Sequence, residues 1–256
     1  MIKKQVMVLV LAILVPLARG SEFADEVIEY DPGIGYAAGF TNALACLGEP
    51  SRINPFGEAT DPFDPPYGKN QILSLGAGGS LTVSFDTPIL NHPHNLFGLD
   101  FTIFGNSGFI ITNDFDLTTF DWVGTPATDG SLFAQNTGAT RVSVSRDGVS
   151  FFEVEPATAG PVDYLFPTDA SGDFQIPVRP AVVQDDFVGL TLDQIRAVYN
   201  GSAGGTSYDI STARDENGVG VFLPEVRFVR VEVLSGKSEI DGFAKVARVS
   251  PGQGRR

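Results

Sequence analysis

Glycine and proline run through this chain from end to end, 29 and 17 of them. Both are poor inside helices and both punctuate short extended elements. Between them lie short segments in which apolar and polar residues alternate, the two-residue period of a half-buried strand. In residues 80–85, Leu81, Val83 and Phe85 share one face and the hydroxyls share the other. Residues 141–145 alternate in the same way, turn through Arg146-Asp147-Gly148 and return as residues 151–154. Asp-Gly between alternating runs is a strong hairpin signal. Residues 226–233 form the longest such run, mixed at its start, and residues 240–249 read as the last strand. In residues 98–104, Leu99, Phe101 and Ile103 alternate with Asp100, Thr102 and Phe104, and Asp100 is placed to point out of a sheet edge. One short helix is expected, residues 192–199, with Thr191 as its cap. Strands at this spacing with so little helix predict an all-β fold, an antiparallel β-sandwich. It is expected to occupy residues 21–250 as one domain, with a tail at 251–256.

The first twenty residues carry an address. Lys3 and Lys4 are followed by an apolar run over residues 6–17, and then by Ala18-Arg19-Gly20. That is the pattern of a secretory signal peptide, so the chain is expected to be exported to the periplasm, the medium or the cell surface. The run is too short to span about 30 Å of hydrocarbon, and no later stretch is long enough, so no membrane insertion is expected once the signal is removed. The formal net charge is −14, and loss of Lys3, Lys4 and Arg19 makes it more acidic still. A field of that sign disfavours nucleic acid and anionic membrane surfaces as partners. Cys46 is the single cysteine. It excludes an intramolecular disulfide and the zinc patterns built on several cysteines, and it reads as a small buried residue. A large exported chain without disulfides looks bacterial rather than animal.

Few catalytic patterns are available. The chain has no Gly-x-Ser-x-Gly elbow and no His-Glu-x-x-His. The glycine-rich stretches at 76–79 and 201–205 lack the lysine of a phosphate loop and read as tight turns at strand ends. His92 and His94 flank Pro93, which argues for a turn rather than a metal-binding strand. Two regions read as long loops, where function often resides. Residues 48–69 are proline-rich and include an acidic, aromatic run ending at Tyr67. Residues 107–138 hold Asn113-Asp-Phe-Asp116 and the only tryptophan, Trp122. A sugar ring has an apolar face and a polar rim, so Trp122, Tyr67, Phe115 and Phe120 are candidate platforms for a glycan; the alternative is that they cover the core.

The order of motifs carries a resemblance. Cys46-Leu-Gly-Glu-Pro50 is followed by residues 74–85, by Gly98-Leu-Asp-Phe-Thr-Ile-Phe-Gly-Asn106 and by residues 142–151. Ala203-Gly-Gly-Thr-Ser-Tyr-Asp-Ile210, Phe228-Val-Arg-Val231 and Glu239-Ile-Asp-Gly-Phe243 complete the series. This order resembles bacterial exported cell-surface β-sandwich proteins, some of which carry a C-terminal sorting tail of the PEP-CTERM type, over residues 44–249. The resemblance implies a jelly-roll-like sandwich, an architecture shared with many carbohydrate-binding modules. Three departures stand out. Gly105 lies where members of the group usually carry an acidic residue, Thr206 lies where they often do, and no sorting tail is present.

The resemblance also selects candidate ligands for calcium, which takes six to eight oxygens from carboxylates, amides and carbonyls. At the motif positions these are Asp100, Asn106, Asp209 and Asp241, and a local alternative is Asn113 with Asp114 and Asp116. Asp209 and Asp241 are equally able to cap turns. The leading expectation is therefore an exported, non-enzymatic cell-surface or periplasmic binding protein, stabilised by Ca²⁺ and partnered by an extracellular glycan or another cell-surface component. The alternatives are a structural or matrix component without a small ligand, and an extracellular polysaccharide hydrolase.

Overall fold

A computed structural model describes residues 21–133, 138–158 and 161–248. The expected signal peptide and the tail at 251–256 lie outside the described residues. In chain order the strands are β1 (Glu26–Asp31), β2 (Leu73–Gly76), β3 (Ser80–Leu90), β4 (Phe101–Phe104), β5 (Gly108–Ile111), β6 (Phe115–Asp116), β7 (Asp121–Trp122), β8 (Ala127–Phe133), β9 (Thr140–Ser145), β10 (Phe152–Val154), β11 (Leu190–Thr191), β12 (Thr206–Tyr208), β13 (Glu225–Val233), β14 (Lys237–Ile240) and β15 (Gly242–Lys245). Helix α1 is Leu192–Tyr199.

The expected antiparallel sandwich is present. One layer is a five-stranded sheet in the order β1-β3-β13-β9-β10. Its inward residues Leu81, Val83, Val142, Val144, Val229 and Val231 are buried. They share one core with Leu73 and Leu75 of β2, Phe101 and Ile103 of β4, Tyr208 of β12 and Phe243 of β15. Those residues belong to the opposing layer, made of the ladders β12-β4-β15 and β14-β2. Every ladder in both layers is antiparallel. Burying each such aliphatic or aromatic side chain contributes about 1.5–3 kcal/mol, so the alternation read in the sequence is also the main source of cohesion.

The outer face of the five-stranded sheet explains the polar half of that alternation. The Arg230 guanidinium donates to Thr82 Oγ1 (3.0 Å) and lies 3.7 Å from the centre of the Phe151 ring. Arg141 and Glu232, directly opposite in register, form a bidentate pair at 2.9 and 3.0 Å. The mixed start of the long run is a bulge: the β13–β3 register shifts between Val226 and Phe228. The turn at 146–148 forms as expected. Asp147 Oδ1 accepts from the backbone of Val149 and Ser150, both at 2.9 Å, and Gly148 takes a positive φ of 74°. Helix α1 also forms where expected, with Gln194 Oε1 accepting from the Thr191 N–H (2.9 Å).

Three expectations are corrected. Residues 240–249 are not one strand, because the chain ends β14 at Ile240, passes through Asp241 and starts β15 at Gly242 in a different sheet. Asp100 does not point outward. It is buried just before β4, where its carboxylate turns inward to accept from the Asn95 amide and the Ile210 N–H. Residues 107–133 are not an open loop. β5, β8 and β11 form a three-stranded sheet whose Phe109 and Leu132 pack with Phe187, Ile195 and Tyr199 in a second core. The β6–β7 hairpin projects from that sheet.

Candidate functional site

The hairpin that joins β5 to β8 is built on Asn113. Its Nδ2 donates to the carbonyls of Val123 and Thr125, each at 3.1 Å, and its Oδ1 accepts from Ala127 N (2.7 Å). One amide thus clamps the base of the loop, and the Val123 N–H donates to the Asp114 carbonyl (2.8 Å). Above the clamp, Phe115 pairs with Trp122 and Asp116 with Asp121. Asp116 Oδ1 accepts from Thr118 N (2.7 Å) and shapes the turn; these backbone bonds hold its carboxyl below the usual range. Phe120 closes the turn with a φ of 55°, unusual for a side chain of that size.

The result is an apolar tip held in water. Phe120 is 78% exposed, Leu117 75%, Val123 58% and Phe115 42%. The Phe115 ring stands edge-on to Trp122 at 5.1 Å and to Phe120 at 6.3 Å. Asp114 precedes these residues in sequence and Asp116 and Asp121 sit between them, and no lysine or arginine occurs between 113 and 125. Aromatic faces beside carboxylates offer both halves of sugar recognition: stacking for the apolar face of a ring, acceptors for its hydroxyls. Tyr67 is not part of this tip. It pairs with Phe56 at 6.0 Å on the separate 48–69 loop, where Phe56 is 81% exposed.

The candidate calcium ligands are spread over the molecule. Asp100 and Asp241 flank opposite ends of β4: the Val246 N–H donates to the Asp100 carbonyl (2.9 Å), and the Asp241 N–H to the Phe104 carbonyl (2.8 Å). Asp100 Oδ2 accepts from Ile210 N (2.8 Å) and Oδ1 from Asn95 Nδ2 (2.7 Å). Burial nevertheless pushes its carboxyl up to about 6. Asp241 is enclosed with Ser51, which donates its N–H (2.8 Å) and its hydroxyl (2.7 Å) to the two carboxylate oxygens; burial pushes this carboxyl up to about 7. Asp209 caps the short helical turn Ile210–Thr212 through Ser211 N (2.7 Å), one of its two expected roles. Asp114 and Asp116 lie on the hairpin. Among the described residues no group of three or more His, Cys, Asp or Glu side chains is arranged to hold a metal.

Asn106 and Gly105 form a tight corner after β4. Asp163 comes from a distant segment and its Oδ1 accepts from the N–H groups of both Asn106 and Ser107, each at 2.7 Å. A Cβ on residue 105 would lie 2.1 Å from that oxygen. Position 105 therefore has no room for a carboxylate of its own, because another chain segment delivers one there. Thr206 is buried and pairs with Ile103 in the β12–β4 ladder. His92 and His94 form the expected turn, the His94 N–H donating to His92 Nδ1 (3.1 Å). Cys46 is buried, its thiol donating to the Ala43 carbonyl (2.9 Å), and burial pushes it up to about 12.

Leu117 and Val123 extend the exposed tip but carry no distinctive signal in the sequence, where they read as ordinary apolar residues. The signal that finds them is the Asn113 clamp, which needs the tertiary contacts of β8 to be seen. No protein-family model matches this chain, and a search of curated proteins finds no match.

Proposed function

We propose that this chain is an exported, non-enzymatic binding protein that engages an extracellular glycan through the aromatic tip of the 113–125 hairpin. One observation carries the reading: Phe115 and Phe120 stand in solvent beside a half-buried Trp122, on a loop clamped at its base. Aromatic side chains usually bury their large surface in a core, and an exposed apolar cluster on a folded protein marks an interaction site. The three flanking carboxylates argue against an anionic membrane as the partner. Export rests on the pattern of the first twenty residues.

The test is retention on polysaccharide, by pull-down or glycan array, with and without calcium. Trp122→Ala and Phe120→Ala should lose retention while keeping the fold. If no glycan in a broad panel is retained under either condition, the reading fails. The same exposed tip also suits self-association, as a matrix component would need. Sedimentation that depends on concentration, abolished by Phe120→Ala, would favour that second reading.

A further inference from the structure

Asp116 and Asp121 stand directly opposite each other in the β6–β7 ladder. Like charges so placed destabilise a hairpin. Asp114 adds a third carboxylate one residue before β6. Asp114 and Asp121 are exposed and Asp116 is half-buried. Among the described residues none of the three forms an ion pair. The sequence supplies no cation nearby, because no lysine or arginine occurs from residue 70 to residue 140. The hairpin therefore carries an unrelieved negative field at its exposed end.

The aromatic side chains act in the same direction. The face of an aromatic ring is the negative pole of its quadrupole and attracts a cation, and the rings of Phe115 and Phe120 are exposed. Each carboxylate neighbours one of these rings in sequence: Asp114 and Asp116 flank Phe115, and Asp121 lies between Phe120 and Trp122. Consecutive Cα atoms are about 3.8 Å apart, well inside the roughly 8–10 Å over which charges act in physiological salt. A ring stacked at this tip thus sits in the field of all three carboxylates. The field repels a uronate or sulfated chain, leaves a neutral one to stacking alone and attracts a positive one.

We propose, resting on the glycan reading of the same tip, that the chain this hairpin engages carries free amino groups, as a polymer of unacetylated hexosamine does. The apolar face of the sugar stacks on the aromatic rings, and the protonated amine meets the negative field and relieves the opposed Asp116 and Asp121. A neutral chain of the same backbone keeps the stacking and forgoes the charge, so it binds more weakly.

The experiment is calorimetry on the purified protein with oligomers of one length: glucosamine, N-acetylglucosamine, galacturonate and, as a cation without a sugar ring, lysine. At about pH 5.5 the amines are protonated and the carboxylates ionised. The expected result is that the glucosamine oligomer binds about tenfold tighter than its N-acetylated counterpart at low salt, with the galacturonate oligomer weakest. The advantage should shrink toward equality at about 0.5 M salt. Asp114→Asn combined with Asp121→Asn keeps the side-chain shapes, and should cut the ratio to about threefold or less with the melting temperature unchanged. Equal binding of the two hexosamine oligomers by the parent protein would overturn the amine preference and leave the glycan reading standing. A ratio that survives the paired Asp→Asn change places the amine elsewhere and overturns it too. A lysine oligomer bound as tightly as the glucosamine oligomer would show that charge alone is read, with no part for the sugar. If no oligosaccharide binds, the glycan reading of the tip falls and the amine preference with it.

Discussion

Ser51 donates both its backbone N–H and its hydroxyl to the carboxylate of Asp241, at 2.8 and 2.7 Å, across 190 residues of sequence. The pair pins the long 48–69 loop to the corner at which the chain leaves β14 and enters β15. It also explains why an acidic residue is tolerated in a fully buried place: both oxygens are occupied by donors, although among the described residues no cation is its partner. Ser51→Ala removes the hydroxyl donor and is expected to destabilise the protein by about 1–3 kcal/mol. Urea denaturation, with the slope unchanged and the midpoint lowered, checks it.

Buried carboxyls set an unusual pH response. Asp100 is raised from 3.8 to about 6 and Asp241 from 3.8 to about 7, in both cases chiefly by burial. The folded state therefore holds protons that the unfolded state has released, and stability falls as pH rises from about 4 to about 7. Asp116, Asp129 and Asp147 shift downward through hydrogen bonds, so their contribution is lost as pH falls below the ordinary carboxylate range. The melting temperature should peak near pH 4–5 rather than at neutrality. Asp241→Asn should flatten the upper slope; an unchanged slope would remove Asp241 from this role.

Position 105 tests the close approach of Asp163. A methyl group there would meet the Asp163 carboxylate at 2.1 Å, and Asp163 cannot retreat without releasing the Asn106 and Ser107 N–H groups. Gly105→Ala is expected to cost roughly 1–3 kcal/mol, as overpacking does. Gly57→Ala, where no atom lies within 4 Å but φ is 88°, isolates backbone strain as the comparison. A Gly105→Ala protein as stable as the parent would show that Asp163 does not hold this corner.

The Arg196–Asp169 pair joins α1 to the segment before it. Asp169 is buried and receives the guanidinium at 2.9 Å as well as the N–H and hydroxyl of Ser171. Arg196→Ala leaves that carboxylate buried without its cation and is expected to destabilise by about 3 kcal/mol. Hydrogen exchange should localise the loss to α1 and the second core around Phe187 and Tyr199, with the five-stranded sheet retaining its protection.

The sandwich was legible because its strands alternate over a single buried face. Leu81, Val83 and Phe85 needed no more than their spacing, and the β9–β10 hairpin no more than Asp147-Gly148. Failures came where a distant contact decides the local structure. The break between β14 and β15 depends on Ser51, far from Asp241. The burial of Asp100 depends on Ile210, 110 residues away, whose N–H its carboxylate accepts together with the Asn95 amide. The β5–β8 sheet was hidden because Gly130 and the polar residues around it resemble a loop until Phe109 and Leu132 find Phe187 and Tyr199. Trp122, Phe115 and Phe120 were readable as candidates because large aromatics in a glycine-, threonine- and aspartate-rich stretch have no local core to enter.

Trp122 is the only tryptophan in the chain, so its fluorescence reports on the hairpin alone. The most direct measurement is a titration of that emission with soluble polysaccharides, with and without calcium, in the parent protein and in Phe120→Ala. The expected result is a saturable change with at least one neutral polymer, shifted to at least about tenfold higher concentration in Phe120→Ala, with the melting temperatures of the two proteins alike. A Trp122 emission that stays constant across a broad panel, in both proteins and both conditions, would contradict glycan binding at this tip.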